Sequence, residues 1–532
     1  MLPFYFSCRL LRAAATALAM VAMTGCTVVG PDYTPPPAPT LPSTWDAADT
    51  TAHTHEITAW WQQFNDPVLN QLIERGARQN LSIEAAGLRI VQSRAALGIS
   101  DALVFPQQQQ VNGNLTKLYQ NEQSFNSAGI SLDVGWEMDI WGKYARGIES
   151  AEASLYASIA SYRDVLVTVT AEITRNYINY RTAQERIHLS RQNIAIQERV
   201  VEMTRVQFES GNVSELDVQQ AKTQLYATQS SLPGLTLQRL QAQNALAVLL
   251  GTLPEAVEPL LALDEQRERV DFESQIMDTS RTFASPDSYS AESVIPVAPE
   301  LDPRIDPQLV LRRPDLQVAE LQARAQSARI GLAEADLYPQ FFLFGSIGLA
   351  ETVRPGDGFS ASNAVTAAIG PGLSWNIFQY DRIENRVRIE DALFQQSLSN
   401  YNQRVLQAVQ EVSNALEGYR YTLEKSKYDF SSVEASIRAF NISANQYNNG
   451  LVTYQRLLST VEKMTLREDI YAQTRGTIAN QLVALYKALG GGWEAHADLP
   501  LVKPETAGQM KSRTDWGEYL EPETIVGEDR HE

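Results

Sequence analysis

The chain is poor in cysteine, histidine and positive charge, and each shortage removes a class of function. Cys8 and Cys26 are the two cysteines among 532 residues. Cys8 lies in a leader-like segment, so the mature chain would keep one, too few for an internal disulfide or a cysteine metal cluster. The five histidines are His53, His55, His188, His496 and His531. His53 and His55 alone are close in sequence, in a stretch that reads as exposed strap. No phosphate loop, dinucleotide fingerprint or nucleophile elbow appears, so nothing motivates an enzyme reading and no cofactor is called for. Lys and Arg number 44 against 63 Asp and Glu, a net charge of −19. Nucleic-acid binding needs basic clusters, so that partner is excluded. Beyond the leader there is no apolar run near 18 residues, hence no helical membrane span; a membrane crossing would have to be a β-barrel.

Helix breakers are also scarce in two long stretches. Between Lys143 and Ser210 there is no proline, and Gly147 is the only glycine. That length would span roughly 100 Å as one helix. Asp381 to Asn449 contains only Gly418. Gly211 and Gly450 end the two runs, and helical sequence resumes over 214–250 and 453–489. Glycine accepts the positive φ common just past a helix end, so both positions predict tight hairpin tips. Ser214 and Thr453 suit N-caps of the returning helices. Pro233-Gly234 interrupts the first return only and predicts a kink or break there.

The two stretches are copies of each other. Trp136 pairs with Trp375, Tyr162 with Tyr401, Glu172 with Glu411, Tyr180 with Tyr419 and Gly211 with Gly450, all at one offset of 239. Phe105-Pro106-Gln107 pairs with Tyr338-Pro339-Gln340 at an offset of 233, so a loop between these blocks has changed length. A constant offset over more than a hundred residues marks a tandem duplication.

Each copy holds two strand candidates, between Pro106 and Trp141 and between Pro339 and Tyr380. Ile130, Leu132, Val134 and Trp136 alternate with Ser131, Asp133 and Gly135. Trp136, Trp141, Trp375, Phe378 and Tyr380 cluster at the strand ends, as in membrane-interface girdles; an aromatic-rich soluble hinge is the alternative. Four strands cannot close a membrane barrel, so a barrel here must be shared between chains.

The N-terminus carries Arg9 and Arg12, an apolar run over 13–23, then Met23-Thr24-Gly25-Cys26. This pattern reads as a secretory signal. The cysteine after small residues resembles a bacterial lipobox, which implies cleavage before Cys26 and a covalent lipid on it. An ordinary signal peptide with a chance cysteine is the other reading. Thr27 is not the aspartate associated with inner-membrane retention, which favours the outer membrane. Residues 30–45 are proline-rich and read as an extended strap.

Several motifs together resemble the TolC-type outer-membrane efflux protein family, in its lipoprotein branch partnering resistance-nodulation-division pumps. They are the lipobox, the strap, Trp61-Gln62-Gln63-Phe64-Asn65-Asp66-Pro67, Leu311-Arg312-Arg313-Pro314-Asp315, Phe208-Glu209-Ser210-Gly211, Tyr447-Asn448-Asn449-Gly450 and Leu489-Gly490-Gly491-Gly492-Trp493. The resemblance covers about residues 26–493. It implies an α+β membrane protein: a homotrimer whose long hairpins form a periplasmic α-barrel, with four strands per chain in a shared 12-stranded transmembrane β-barrel. The organisation it suggests is a lipoprotein signal peptide at 1–25, a strap at 26–58, a first repeat at 59–251, an equatorial insert at 252–300, a second repeat at 301–490 and an equatorial segment with acidic tail at 491–532. The function implied is a passive exit duct for small molecules such as drugs. Its partners would be outer-membrane lipid, a periplasmic adaptor and an inner-membrane pump. A lipid-anchored coiled-coil adaptor without a pore is the rival reading.

The resemblance also implies a gate at the hairpin tips. By distance from the tip glycines, Asp217 and Tyr447 occupy linking positions, as acceptor and phenolic donor. Arg456 and Ser459 stand where some members carry aspartates, a departure from the pattern. Arg456 would form a positive ring or pair with Asp217, pairing being favoured because like charges in a ring repel. Glu462 would supply a displaced acidic ring.

Overall fold

The computed structural model describes residues 28–37, 57–120, 123–262, 293–299, 307–354, 356, 358, 360 and 364–520. The leader, Cys26, His53, His55, His531, the rest of the strap, most of the insert and the acidic tail lie outside the described residues.

Each repeat opens with a helix of moderate length, passes through two strands, and ends in a long helical hairpin. The first runs α1 (Pro67–Gln79), α2 (Leu81–Ala102), β1 (Gln108–Gln120), β2 (Gln123–Glu137), α3 (Lys143–Glu209) and α4 (Glu215–Leu249). A short helix, α5 (Pro254–Ala262), follows. The second runs α6 (Pro314–Glu334), β3 (Gln340–Val353), β4 (Val365–Ser374), α7 (Tyr380–Asn448) and α8 (Tyr454–Ala488), and α9 (Pro504–Arg513) lies beyond it. The helices α3 and α7 are 67 and 69 residues long, so each spans about 100 Å.

Helix ends fall where the backbone demands them. Gly211, Gly450, Gly251 and Gly490 all have positive φ. After each of these helices the amide three residues past its end reaches back five residues: Asn212 to Gln207, Leu451 to Gln446, Thr252 to Ala247 and Gly491 to Tyr486, at 2.8–3.1 Å. Those bonds satisfy carbonyls the helix leaves free. Asp66 caps α1 through Val68 and Leu69, and Pro67 occupies the first helical position, where a missing amide costs nothing. Thr453 stands at the N-cap of α8 with extended backbone, but its hydroxyl makes no capping bond.

Of the kink or break expected at Pro233, the break does not occur. Helix α4 continues from Glu215 to Leu249 with Pro233 inside it. The hydroxyls of Thr228, Ser230 and Ser231 each donate to a carbonyl of the preceding turn, in the segment where Pro233 removes one helical amide bond.

The duplication survives as equivalent hydrogen bonds. The Trp136 indole donates to the Val104 carbonyl at 2.9 Å, and Trp375 donates to Leu337 at 3.1 Å. Asn80 donates to the Leu249 carbonyl at 2.8 Å, and Arg313 to Ala488 at 2.7 Å. Each pair preserves the repeat register, including the slip in loop length.

The main core sits at mid-height. Trp60, Trp61, Phe64, Leu69 and Leu72 pack with Leu166, Ile173 and Tyr177 of α3, Leu246 of α4, Val257 of α5, Tyr486 of α8 and Leu501. The amino-terminal turn, the described part of the insert and the carboxy-terminal segment thus close one belt around the long helices.

Candidate functional site

Two regions hold the chemistry a conduit would need: the four-stranded sheet at one end and the paired hairpin tips at the other. The sheet order is β1-β2-β3-β4, antiparallel throughout. Directly opposed residues share a face. The register Val111–Leu132–Ile347–Ala367 therefore places these four together, and Ile130, Leu349 and Val365 align beside them. That face is apolar and exposed; Val111, Ile347, Val365 and Ile369 are 59–82% accessible. The other face carries Gln110, Asn112, Ser131, Asp133, Ser346 and Thr366. Strands β1 and β4 each have a free edge. One apolar face, one polar face and two open edges leave the sheet free to pair with further strands.

The strap meets the helices just below this sheet. The Val29 amide donates to the Trp141 carbonyl at 3.0 Å. Arg146, 5% exposed, donates to the carbonyls of Val29 and Gly30, both at 3.2 Å, and to Asp32 at 2.8 Å. A Cβ on Gly30 would lie 2.3 Å from the Cα of Gly331, so the strap crosses α6 glycine against glycine.

At the far end the tips lie side by side, and the structure places the five expected gate residues differently from one another. Asp217 accepts from the Ser214 amide at 2.9 Å and from its hydroxyl at 2.7 Å. It caps its own helix, where the first amides lack helical partners. The expected Asp217–Tyr447 hydrogen bond is accordingly not formed within the chain. Tyr447 is 2% exposed and packs edge-on against Tyr454, ring centroids 6.1 Å apart. Its hydroxyl faces Thr204 of α3 without closing a well-formed hydrogen bond. Burial pushes the phenol above its ordinary pKa, and the nearby Asp217 carboxylate adds to the shift. Arg456 and Glu462 are exposed and Ser459 is half-buried. Among the described residues Arg456 forms no ion pair with Asp217, whose Oδ2 accepts both capping bonds.

A further set of links joins the hairpins where distance from the tips gave no hint. The Arg186 guanidinium grips Asp469 through two bonds of 2.7 and 3.2 Å. Asn193 donates to Glu468 at 2.9 Å and accepts from Thr465 at 3.1 Å. All three pairs run between α3 and α8. Arg186, Ser190, Asn193, Gln197 and Thr204 recur at spacings of three, four and seven along α3. Such spacing marks a buried helix stripe, so polar residues on it were the available signal. The second hairpin, in contrast, has an apolar interior of Phe430, Val433, Ile437, Phe440, Leu457, Val461 and Met464.

Among the described residues no single helix is long and apolar enough to cross a membrane, and no cluster of metal-binding side chains occurs. A family profile described as outer membrane efflux protein matches residues 72–252 and 307–491, which is most of both repeats. The chain belongs to the outer membrane efflux protein family. Nodulation protein T of Rhizobium leguminosarum bv. viciae is 26% identical over 482 residues, 90% of this chain and 94% of that protein. The probable outer membrane lipoprotein SilC of Salmonella typhimurium is 24% identical and is covered to 96% of its length by 88% of this chain. Among solved structures, the outer-membrane channel OprN is 30% identical with a TM-score of 0.75, covering 88% of this chain and 99% of that one. The open state of the MtrE channel of Neisseria gonorrhoeae, 21% identical with a TM-score of 0.70 over 88% and 99% of the two chains, shares the fold. This efflux protein is therefore an outer-membrane transport component, and its family consists of efflux proteins rather than enzymes.

Proposed function

We propose that this efflux protein is the exit duct of a tripartite system, with three copies closing one 12-stranded barrel and joining their hairpins into a periplasmic tube. The observation that carries the reading is the sheet: four strands, apolar on one face and polar on the other, with both edges open. Membrane barrels need about eight or more strands, so one chain is insufficient. Head-to-tail pairing of β4 on β1 of the next copy closes under threefold symmetry. The adaptor reading gives no role to such a sheet.

An adaptor and an inner-membrane pump would supply docking and energy, and the cargo would be small molecules such as drugs. Cys26 lies two residues before Val28, which packs on Gly142 beside Trp141 at the foot of the sheet. That position supports acylation of Cys26 as a second membrane anchor. The half-buried Arg186–Asp469 pair between α3 and α8 supports movement of one hairpin past the other, because a partly solvated pair exchanges with water at modest cost. The tip residues Asp217, Tyr447, Arg456, Ser459 and Glu462 would line or brace the mouth that this movement opens.

Light scattering of the detergent-purified protein should give three chains, and planar bilayers should show a discrete conductance. A monodisperse monomer with full strand content would refute the shared barrel.

A further inference from the structure

We infer that Asp133 is the residue that sets the charge preference of the barrel, favouring passage of cations over anions. The inference rests on the trimeric barrel proposed above. The inner face of the sheet is built from glutamine, asparagine, serine, threonine, glycine and a few apolar residues. Asp133 and Glu137 are its two charges among the described residues. Glu137 sits at the foot of β2, accepts from the Tyr144 hydroxyl at 2.9 Å and has the Lys143 ammonium 3.8 Å away. Lys143 is shared with Asp336, 3.0 Å away, so it offsets the Glu137 charge only in part, and Glu137 stands at the rim of the strand. Asp133 has no cationic partner among the described residues, and it lies four residues further along the strand, about 13 Å into the barrel.

The carboxylate is held by donors from three strands. Ser346 of β3 donates to Oδ1 at 2.6 Å; Asn112 of β1 and Ser131 of β2 donate to Oδ2 at 2.6 and 2.9 Å. Hydrogen bonds to the charged form keep a carboxylate ionised, and none of these neutral donors cancels its charge. Threefold symmetry repeats the group as a ring of three negative charges in a wall with no positive ones among the described residues. Low-dielectric walls focus such a field along the lumen and concentrate cations there. The rival explanation is a brace that ties β1, β2 and β3 together. The two differ in whether the charge or the hydrogen bonds matter.

The experiment reads the local potential beside the ring. Ala368 faces Ser346 across the β3–β4 pair and is exposed on the same wall. The full-length trimer carrying Ala368→Cys is treated with a cationic and an anionic methanethiosulfonate reagent in dilute buffer, alone and combined with Asp133→Asn. Potassium chloride gradients across bilayers give the reversal potential of the same proteins. The cation-to-anion labelling ratio should fall about 5-fold in the Asn variant, since a single charge at ~8 Å already favours a cation over an anion by that factor in water. The difference should shrink at 1 M salt, where screening acts within ~3 Å. Asn112→Ala and Ser346→Ala keep the charge and should lower heat stability while leaving the labelling ratio in place. An unchanged ratio in Asp133→Asn, with the trimer intact, overturns the inference and leaves the brace. A wild-type protein that forms neither trimer nor channel overturns the barrel reading, and the inference with it.

Discussion

Alanine at Gly331 sets two known effects against each other. In a helix interior alanine is favoured over glycine by about 1 kcal/mol, so the substitution by itself should stabilise α6. The new Cβ, however, would stand 2.6 Å from the Val29 carbonyl oxygen and 3.0 Å from the Cγ and Nε of Arg146. The first is backbone of the strap and cannot swing aside as a side chain would. Lifting the strap breaks the Val29–Trp141 bond and the Arg146 bonds to Val29, Gly30 and Asp32. A neutral hydrogen bond contributes about 1 kcal/mol and one to a charged donor about 2. The Asp32 side chain is 93% exposed, so its pairing with Arg146 counts only as a surface interaction. Losing roughly half of this set gives a net deficit of about 2 kcal/mol at the strap. Limited proteolysis followed by mass spectrometry should then show cleavage within 28–37 accelerated on the order of 30-fold, because local opening scales with that free energy. Gly234→Ala is the matched control: no atom lies within 4 Å of its added Cβ, so the helix term acts alone and the protein should gain stability. If Gly331→Ala raises the melting temperature and leaves the strap as protected as before, the strap is not held by glycine contact and the reasoning is wrong.

Two further expectations follow from the hairpins and a third from the belt. Asp217→Ala removes a helix cap worth about 1 kcal/mol and should raise single-channel conductance by fraying the tip, whereas Tyr447→Phe deletes a buried hydroxyl without a well-formed bond and should leave conductance unchanged; the reverse ranking would point to a direct tyrosine latch. Arg186→Ala and Asp469→Ala should each raise the closed-state conductance, and a double-mutant cycle should show coupling of about 1 kcal/mol, with zero coupling counting against the seam as a latch. Burial, and then the neighbouring Asp315 carboxylate, hold the Asp164 pKa above the ordinary carboxylate range, with Arg313, Arg404 and Lys487 acting in the opposite direction. The folded state therefore keeps this proton longer than the unfolded chain. Its contribution favours folding in acid and is lost as pH rises from the ordinary carboxylate value through the folded one, so Asp164→Asn should raise stability at neutral pH and flatten that part of the melting-temperature profile.

Much of the architecture was legible because it is written in backbone chemistry. The tip glycines, the proline-free runs and the alternation over Ile130–Trp136 each impose a conformation on their own residues, and the repeat offset tied the halves together. The helical end was less legible. Distance from Gly211 located Asp217 along its helix, but an aspartate at the third helical position serves the free amides beside it before it serves a partner helix. The Arg186–Asp469 and Asn193–Glu468 links depend on how α3 and α8 are rotated against each other, which no single helix specifies. At Pro233 a lone proline predicts a lost bond but not whether the helix stops there, and α4 runs on through it.

The two repeats kept the same bonds where they share a geometric duty and diverged where they do not. The bonds of Trp136 and Trp375 under the sheet are interchangeable, as are those of Asn80 and Arg313 to the ends of the returning helices. Below the belt the copies part. The second hairpin closes on aromatic and aliphatic side chains, which resist rearrangement because any shift opens a cavity. The stripe of α3 facing it carries Arg186, Asn193, Gln197 and Thr204, of which the half-buried Arg186 reaches Asp469 and Asn193 and Gln197 reach Glu468 and Thr465 of α8. In the proposed opening, a rigid rod against a polar seam would slide as a body rather than melt. Duplication supplied the two rods, and the polar stripe of one would be the surface on which they move.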